Sequence, residues 1–154
     1  MKKFSLLSFF ILSVLIFVSC NKSIVFDKTI VFSNDNWSFE ERSQIFEVQM
    51  KGTDKPYSVM LELELSGTPN VDKIPADIVM ISPNGGKVIK STVFYFVNSK
   101  EPHSPNENIL RLKVYPKRYF AETGTYSFQV IQASNNADNY NIRALRMYIE
   151  KIKN

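Results

Sequence analysis

The chain has 154 residues, 44% of them hydrophobic and 22% charged, with a formal charge of +4. That length argues for one domain, and that composition excludes general disorder and Pro/Gly low-complexity sequence. A single Cys excludes an internal disulfide framework and a cysteine-based zinc cluster, and a single His excludes a site built from several histidines.

Lys2 and Lys3 form a short basic segment ahead of Phe4 to Val18, a run without charge, Gly or Pro. At roughly 15 residues the run fits the apolar part of an export signal and falls short of the ~20 needed to cross a bilayer as a helix. It ends at Ser19-Cys20, followed by polar Asn21-Lys22-Ser23. A small residue before a lone Cys at this place resembles the lipobox of bacterial lipoproteins, although Phe17 stands where Leu is usual. The resemblance implies removal of residues 1–19 and acylation of Cys20. The other readings are an uncleaved membrane anchor and a secreted protein with a free thiol. Acylation disposes of an otherwise reactive exported thiol, and several acyl chains together anchor stably. Cleavage removes two of the positive charges, leaving a balance too weak for nucleic acid as a partner.

From Cys20 onward the sequence reads as strands. Residues 20–32 are expected to form a lipidated tether and first strand, and 33–154 a sandwich domain. Ile24 to Phe32 is rich in β-formers, and Ser33-Asn34-Asp35-Asn36 is a turn cluster. Ile45 to Met50 alternates, with Phe46, Val48 and Met50 on one side. Ser58 to Leu65 alternates most cleanly: Val59, Leu61, Leu63 and Leu65 face one way, Glu62 and Glu64 the other. That period of two predicts a half-buried strand with its carboxylates on a wet face. Ser66 to Pro75 reads as a loop and Ala76 to Ile81 as a short strand. Ser82-Pro83-Asn84-Gly85-Gly86 predicts a hairpin into Lys87 to Val97. Asn98 to Asn108 is the longest predicted loop. Ile109 to Tyr115 and Gly124 to Gln132 alternate again, and Ser134 to Asn141 is polar and Asn-rich. Ile142 to Ile152 fits both a helical stripe and a strand, and its all-β surroundings favour the strand. About eight short strands predict an all-β fold, a single antiparallel β-sandwich, with a small barrel as the alternative.

The order of these features resembles the gliding-motility lipoprotein GldH family of Bacteroidetes. The matching stretches are Cys20, Asn34-Asp35-Asn36-Trp37-Ser38, Phe46-Glu47-Val48, Lys55-Pro56-Tyr57-Ser58-Val59 and Ser82-Pro83-Asn84-Gly85-Gly86-Lys87. Further on come Gly124-Thr125-Tyr126-Ser127-Phe128, Gln132-Ala133 and Arg146-Met147-Tyr148-Ile149-Glu150-Lys151. Asn98 to Tyr119 and Ser134-Asn135 depart from the family's pattern. The resemblance implies a non-catalytic accessory subunit of an envelope gliding or secretion complex, with envelope proteins as partners. It also implies an outer-membrane lipoprotein. Because Asn21-Lys22-Ser23 lacks an acidic surface-export cluster, the periplasmic side is expected.

Catalytic constellations are weak. Glu62 and Glu64 share a strand face roughly 7 Å apart, a spacing any alternating strand produces, and neither is expected to be buried. His103 falls in the predicted loop around Pro102 and Pro105, with no nucleophile motif to join it. Asp35, Asp54, Asp72, Asp77 and Asp138 lack calcium-loop spacing, and Gly85-Gly86 lacks the Lys-Ser/Thr start of a phosphate cradle. No metal and no cofactor are expected. The candidate interaction surface is Trp37 and Phe39 in one turn, with Arg118, Tyr119 and Phe120 in another predicted loop, since loop aromatics anchor protein interfaces or stack on sugars. A core plug is the other reading of Trp37. Arg111, Lys113, Lys117 and Arg118 form a candidate docking patch, with a solvated face as the other reading. A carbohydrate-binding envelope lipoprotein is therefore the alternative function.

Overall fold

The computed structural model describes residues 23–52, 54–96 and 108–152. Cys20 with the export segment, and His103 with most of its predicted loop, lie outside the described residues.

Eight strands follow one another: β1 (Ile24–Val31), β2 (Ser43–Met50), β3 (Pro56–Leu65), β4 (Lys73–Ile81), β5 (Lys87–Tyr95), β6 (Ile109–Tyr119), β7 (Gly124–Gln132) and β8 (Ile142–Lys151). They form two four-stranded antiparallel sheets, in the orders β1-β8-β3-β6 and β2-β7-β4-β5. Successive strands alternate between the sheets except β4 and β5, which form a hairpin within one sheet. This is an eight-stranded jelly roll, a β-sandwich as the alternating pattern predicts. β1 is an integral part of it, paired along β8 from Ile24 to Val31.

The alternation of apolar side chains builds the core. Phe46, Val48 and Met50 of β2, Val59, Leu61 and Leu63 of β3, and Tyr126, Phe128 and Val130 of β7 are all buried between the sheets. Aromatic side chains close each end of this layer. At one end Trp37 stacks on Phe32 at 5.2 Å and meets Phe94 edge-on at 6.4 Å. At the other, Phe120 meets Tyr57, Tyr126 and Phe128 edge-on at 5.7, 4.9 and 6.3 Å. Such contacts add to the free energy of burial itself.

Several strand limits differ from the sequence reading. β6 runs on to Tyr119 through Pro116, so Lys117, Arg118 and Tyr119 belong to a strand and not to a loop. Proline is tolerated there because β6 is an edge strand. The register also slips: Tyr57 faces Arg118 while Val59 faces Tyr115, a bulge that absorbs the extra residue. β4 begins earlier than expected, at Lys73, and takes in Pro75 beyond the last pair with β7. Ile142 to Lys151 is a strand, settling the ambiguous segment. Ala144 and Leu145 are both buried in β8, which produced the helix-like stripe.

Because each strand runs in the opposite direction to the one before it, the connections fall into two groups. The β1–β2, β3–β4 and β7–β8 connections lie at one end, with the close of β5 and the start of β6, here the open end. The β2–β3, β4–β5 and β6–β7 connections lie at the other, together with Ser23 and Ile152. There Lys151 N–H donates to the Ser23 carbonyl at 2.8 Å, and Ile152 N–H to the Pro56 carbonyl at 3.2 Å. This is the terminal end.

Candidate functional site

The open end carries a groove of about 910 Å³ between the β1–β2 and β7–β8 connections. The β1–β2 connection leaves β1 at buried Phe32 and makes a single 3-10 turn over Ser33–Asp35. Asn34 and Asp35 sit there at φ 53° and 51°, a left-handed conformation that Asn and Asp tolerate better than most residues. The Glu41 carboxylate ties the turn back, accepting from Ser33 N–H at 3.3 Å and from the Ser33 hydroxyl at 3.2 Å.

Trp37 then drops into the core. It is fully buried, and its Nε1 donates to the Glu41 carbonyl at 3.2 Å. Two backbone bonds zip this connection to its neighbour: Trp37 N–H to the Asn139 carbonyl at 3.1 Å and Phe39 N–H to the Ala137 carbonyl at 2.7 Å. Asn36 completes the latch. Its Nδ2 donates to Asp138 at 2.7 Å, and its Oδ1 accepts from Asn139 N–H at 2.9 Å. Asn139, fully buried, donates its Nδ2 to the Trp37 carbonyl at 2.9 Å.

Outside this latch the groove wall is polar. Ser33, Asn36, Glu40, Glu41, Asn135 and Asp138 line it beside Phe39, whose ring is 54% exposed. The Arg42 guanidinium lies 4.5 Å from the centre of that ring. The groove can therefore offer amide, hydroxyl and carboxylate acceptors to a polar or cationic ligand, next to one aromatic edge.

The structure divides the aromatic candidates of the sequence. Trp37 and Phe120 are corrected: both are wholly buried plugs, each closing one end of the core, and neither presents a surface. Phe39 and Tyr119 are exposed, but at opposite ends: Phe39 lies in the open-end groove and Tyr119 faces Pro56 at the terminal end. Arg118 is half-buried beside the Tyr115 ring at 5.8 Å, and its Nε finds no hydrogen-bond partner. The predicted surface is thus two separate places. The sequence reading missed the β7–β8 wall of the groove because Ser134 to Asp138 holds no aromatic side chain to draw notice. Its signal was the Asn-rich composition.

The carboxylate pair is corrected as well. Glu62 is only 4% exposed, not on a wet face. Arg111 Nε reaches it at 2.8 Å from β6 and Arg146 Nη1 at 2.8 Å from β8. Arg146 also grips Asp27 on β1 through Nε and Nη2, each at 2.7 Å. The result is a ladder of alternating charge across all four strands of that sheet, Asp27–Arg146–Glu62–Arg111. The bond from Arg146 holds the Asp27 carboxyl below its ordinary range, against the smaller upward push of burial. Tyr148, beside the ladder, is pushed up by burial and then by the Glu62 and Glu150 carboxylates. Glu62 is held by arginines from both neighbouring strands, a geometry that ties β3 to β6 and β8. Glu64 is more exposed and pairs with Arg143 at 3.1 Å.

Among the described residues no three His, Cys, Asp or Glu side chains come together to hold a metal ion. Among the same residues no helix is long and apolar enough to cross a membrane.

No family model and no curated protein matches the chain. Among solved structures, the chain is similar to the crystal structure of CBM28, a non-crystalline cellulose specific carbohydrate-binding module, at 11% identity and a TM-score of 0.45. The similarity covers 82% of this chain and 72% of that one. It is also similar to the VP2 subviral particle protein of infectious bursal disease virus, at 11% identity and a TM-score of 0.42, covering 82% of this chain and 32% of that one.

Proposed function

We propose that the chain is a lipid-anchored, non-catalytic envelope protein that contacts a protein partner through the groove at its open end. The observation that carries this reading is topological. Ser23, the first described residue, lies at the end opposite the groove, so a lipid on Cys20 leaves the groove facing away from the bilayer. The chemistry of the groove agrees with a partner bearing basic groups. Among the described residues, Asp35, Glu40, Glu41, Asp72 and Asp138 stand at the open end against Arg42, Lys73 and Arg143, and two of those three cations are already engaged, Arg42 over Phe39 and Arg143 with Asp35 and Glu64. Such a field speeds encounter with a cationic surface. The motif order resembling the GldH family supports an accessory role in a gliding or secretion complex on the periplasmic side of the outer membrane.

The carbohydrate-binding alternative rests on the same groove, whose amides and hydroxyls beside Phe39 suit a sugar. Two observations weigh against it. Trp37, the best stacking ring, is buried, and Arg42 already lies over the Phe39 ring.

The test is a pull-down of the full lipidated chain from detergent-solubilised envelope, with Phe39→Ala and Asp138→Asn as groove variants and Cys20→Ala as the anchor control. Stoichiometric recovery of envelope proteins that both groove variants abolish is the expected result. Retention of glycan with no protein overturns the reading in favour of the carbohydrate binder.

A further inference from the structure

The two ends of the sandwich differ in charge. At the terminal end Lys51, Lys87, Lys117 and Lys151 are exposed, with Lys55 and half-buried Arg118 beside them. Among the described residues the acidic ones there are Asp54, Glu122 and Glu150, and Glu150 accepts from the Ser58 hydroxyl at 3.1 Å. Among the described residues positive charge thus outweighs negative at this end and is outweighed at the open end. Tyr119 stands among these lysines, 48% exposed, with the Lys117 ammonium 5.6 Å from its ring. Its neighbour Phe120 is buried in the core, so the strand end that presents Tyr119 is fixed in place.

The chain outside the described residues sets the distance. Cys20 precedes Ser23 by three residues, and three extended residues span at most about 10 Å. A lipid on Cys20 therefore leaves the terminal end no more than about a Debye length from the headgroups, where lysines still feel anionic lipid.

We propose that the terminal end docks on an anionic phospholipid surface, with Lys51, Lys87, Lys117 and Lys151 on the headgroup phosphates and Tyr119 at headgroup depth. Tyrosine suits that level because its ring is apolar and its hydroxyl stays wet. The docking rests on the anchored reading given above and adds an orientation: the long axis stands upright and the groove is held away from the membrane.

The test uses the full chain, its lipid confirmed by mass, in vesicles of phosphatidylcholine with or without a third phosphatidylglycerol. A headgroup spin-labelled lipid is the quencher. Tyr119→Trp reports on the terminal end, and Trp37, buried near the open end, is the internal reference. The docking predicts that anionic lipid raises quenching of the Tyr119→Trp reporter by roughly threefold or more at low salt. Trp37 stays unquenched. Combined Lys51→Gln, Lys87→Gln, Lys117→Gln and Lys151→Gln substitutions remove the increase while the chain still floats with the vesicles. Equal quenching in neutral and anionic vesicles, or an increase that survives the four substitutions, overturns the docking and leaves the anchor standing. A chain whose mass shows no lipid on Cys20 overturns both.

Discussion

Arg146 donates from Nη1 to Glu62 at 2.8 Å while its other two nitrogens hold Asp27, so one guanidinium on β8 joins the edge strand β1 to the central strand β3. Fork geometry of this kind is what Arg provides and Lys does not. Glu62 is the buried partner of that pair and Arg146 is about one-third exposed. Replacing Glu62 by Gln leaves Arg146 and Arg111 facing each other across an uncharged group. The expected loss is about 2 kcal/mol, against under about 0.5 kcal/mol for Glu64→Gln, whose pair with Arg143 is open to solvent. Urea midpoints at neutral pH measure both.

The same ladder gives an acid dependence. Asp27 has a lowered folded-state pKa, so its pairing with Arg146 is fully present above its unfolded value of 3.8. That contribution is lost as the pH falls through the lower folded value. Because Asp27 is largely exposed, the amount is no more than about 1 kcal/mol. Asp27→Asn should therefore lower stability at pH 6 and flatten the stability profile below pH 4. Urea denaturation across that range compares the two proteins.

Two glycines at the terminal end test backbone geometry. Gly85 sits at φ 87° with open space where a Cβ would go, and Gly124 at φ 139° with Pro83 Cβ only 2.9 Å from that position. Gly85→Ala meets the left-handed penalty alone, about 1 kcal/mol. Gly124→Ala adds a collision between two connections and should cost about 2 kcal/mol or more. Thermal midpoints should fall in that order.

Trp37 and Phe39 are two residues apart and should behave oppositely. Trp37→Ala removes a fully buried ring and should cost about 3–5 kcal/mol. Phe39→Ala should change stability by less than about 0.5 kcal/mol while abolishing capture of the open-end partner. Trp37 emission should be blue-shifted and resistant to acrylamide in the native protein, and should lose both properties in urea.

The fold was legible wherever one face of a strand is buried and the other is not. Phe46-Glu47-Val48 and Tyr126-Ser127-Phe128 announce their register because alternate residues have different solvents. The pattern fails on the outer face of β3. Glu62 reads as wet because it is charged, yet arginines from both neighbouring strands cover it. No feature within β3 says that its neighbours will supply them. Likewise Pro116 reads as a strand end, and only the position of β6 at the sheet edge lets the strand continue. The site was less legible than the fold. Phe39 and Tyr119 were singled out correctly as exposed, but Trp37 and Phe120 beside them are core. One residue type in one loop context serves either role, and only the closing of the sandwich ends decides between them. That the two exposed rings belong to opposite ends follows from strand order, which local sequence does not encode.

The Trp37 plug has a consequence for how this surface can change over time. The connection that carries the groove is nailed to the core by its own indole and latched to its neighbour through Asn36 and Asn139. Its outward side chains, Phe39 and Glu40, contribute little to that fastening. Substitutions there can alter what the groove recognises without loosening the domain. Recognition and folding are thus carried by different residues of one short segment, and new specificities can be explored at little risk to the fold.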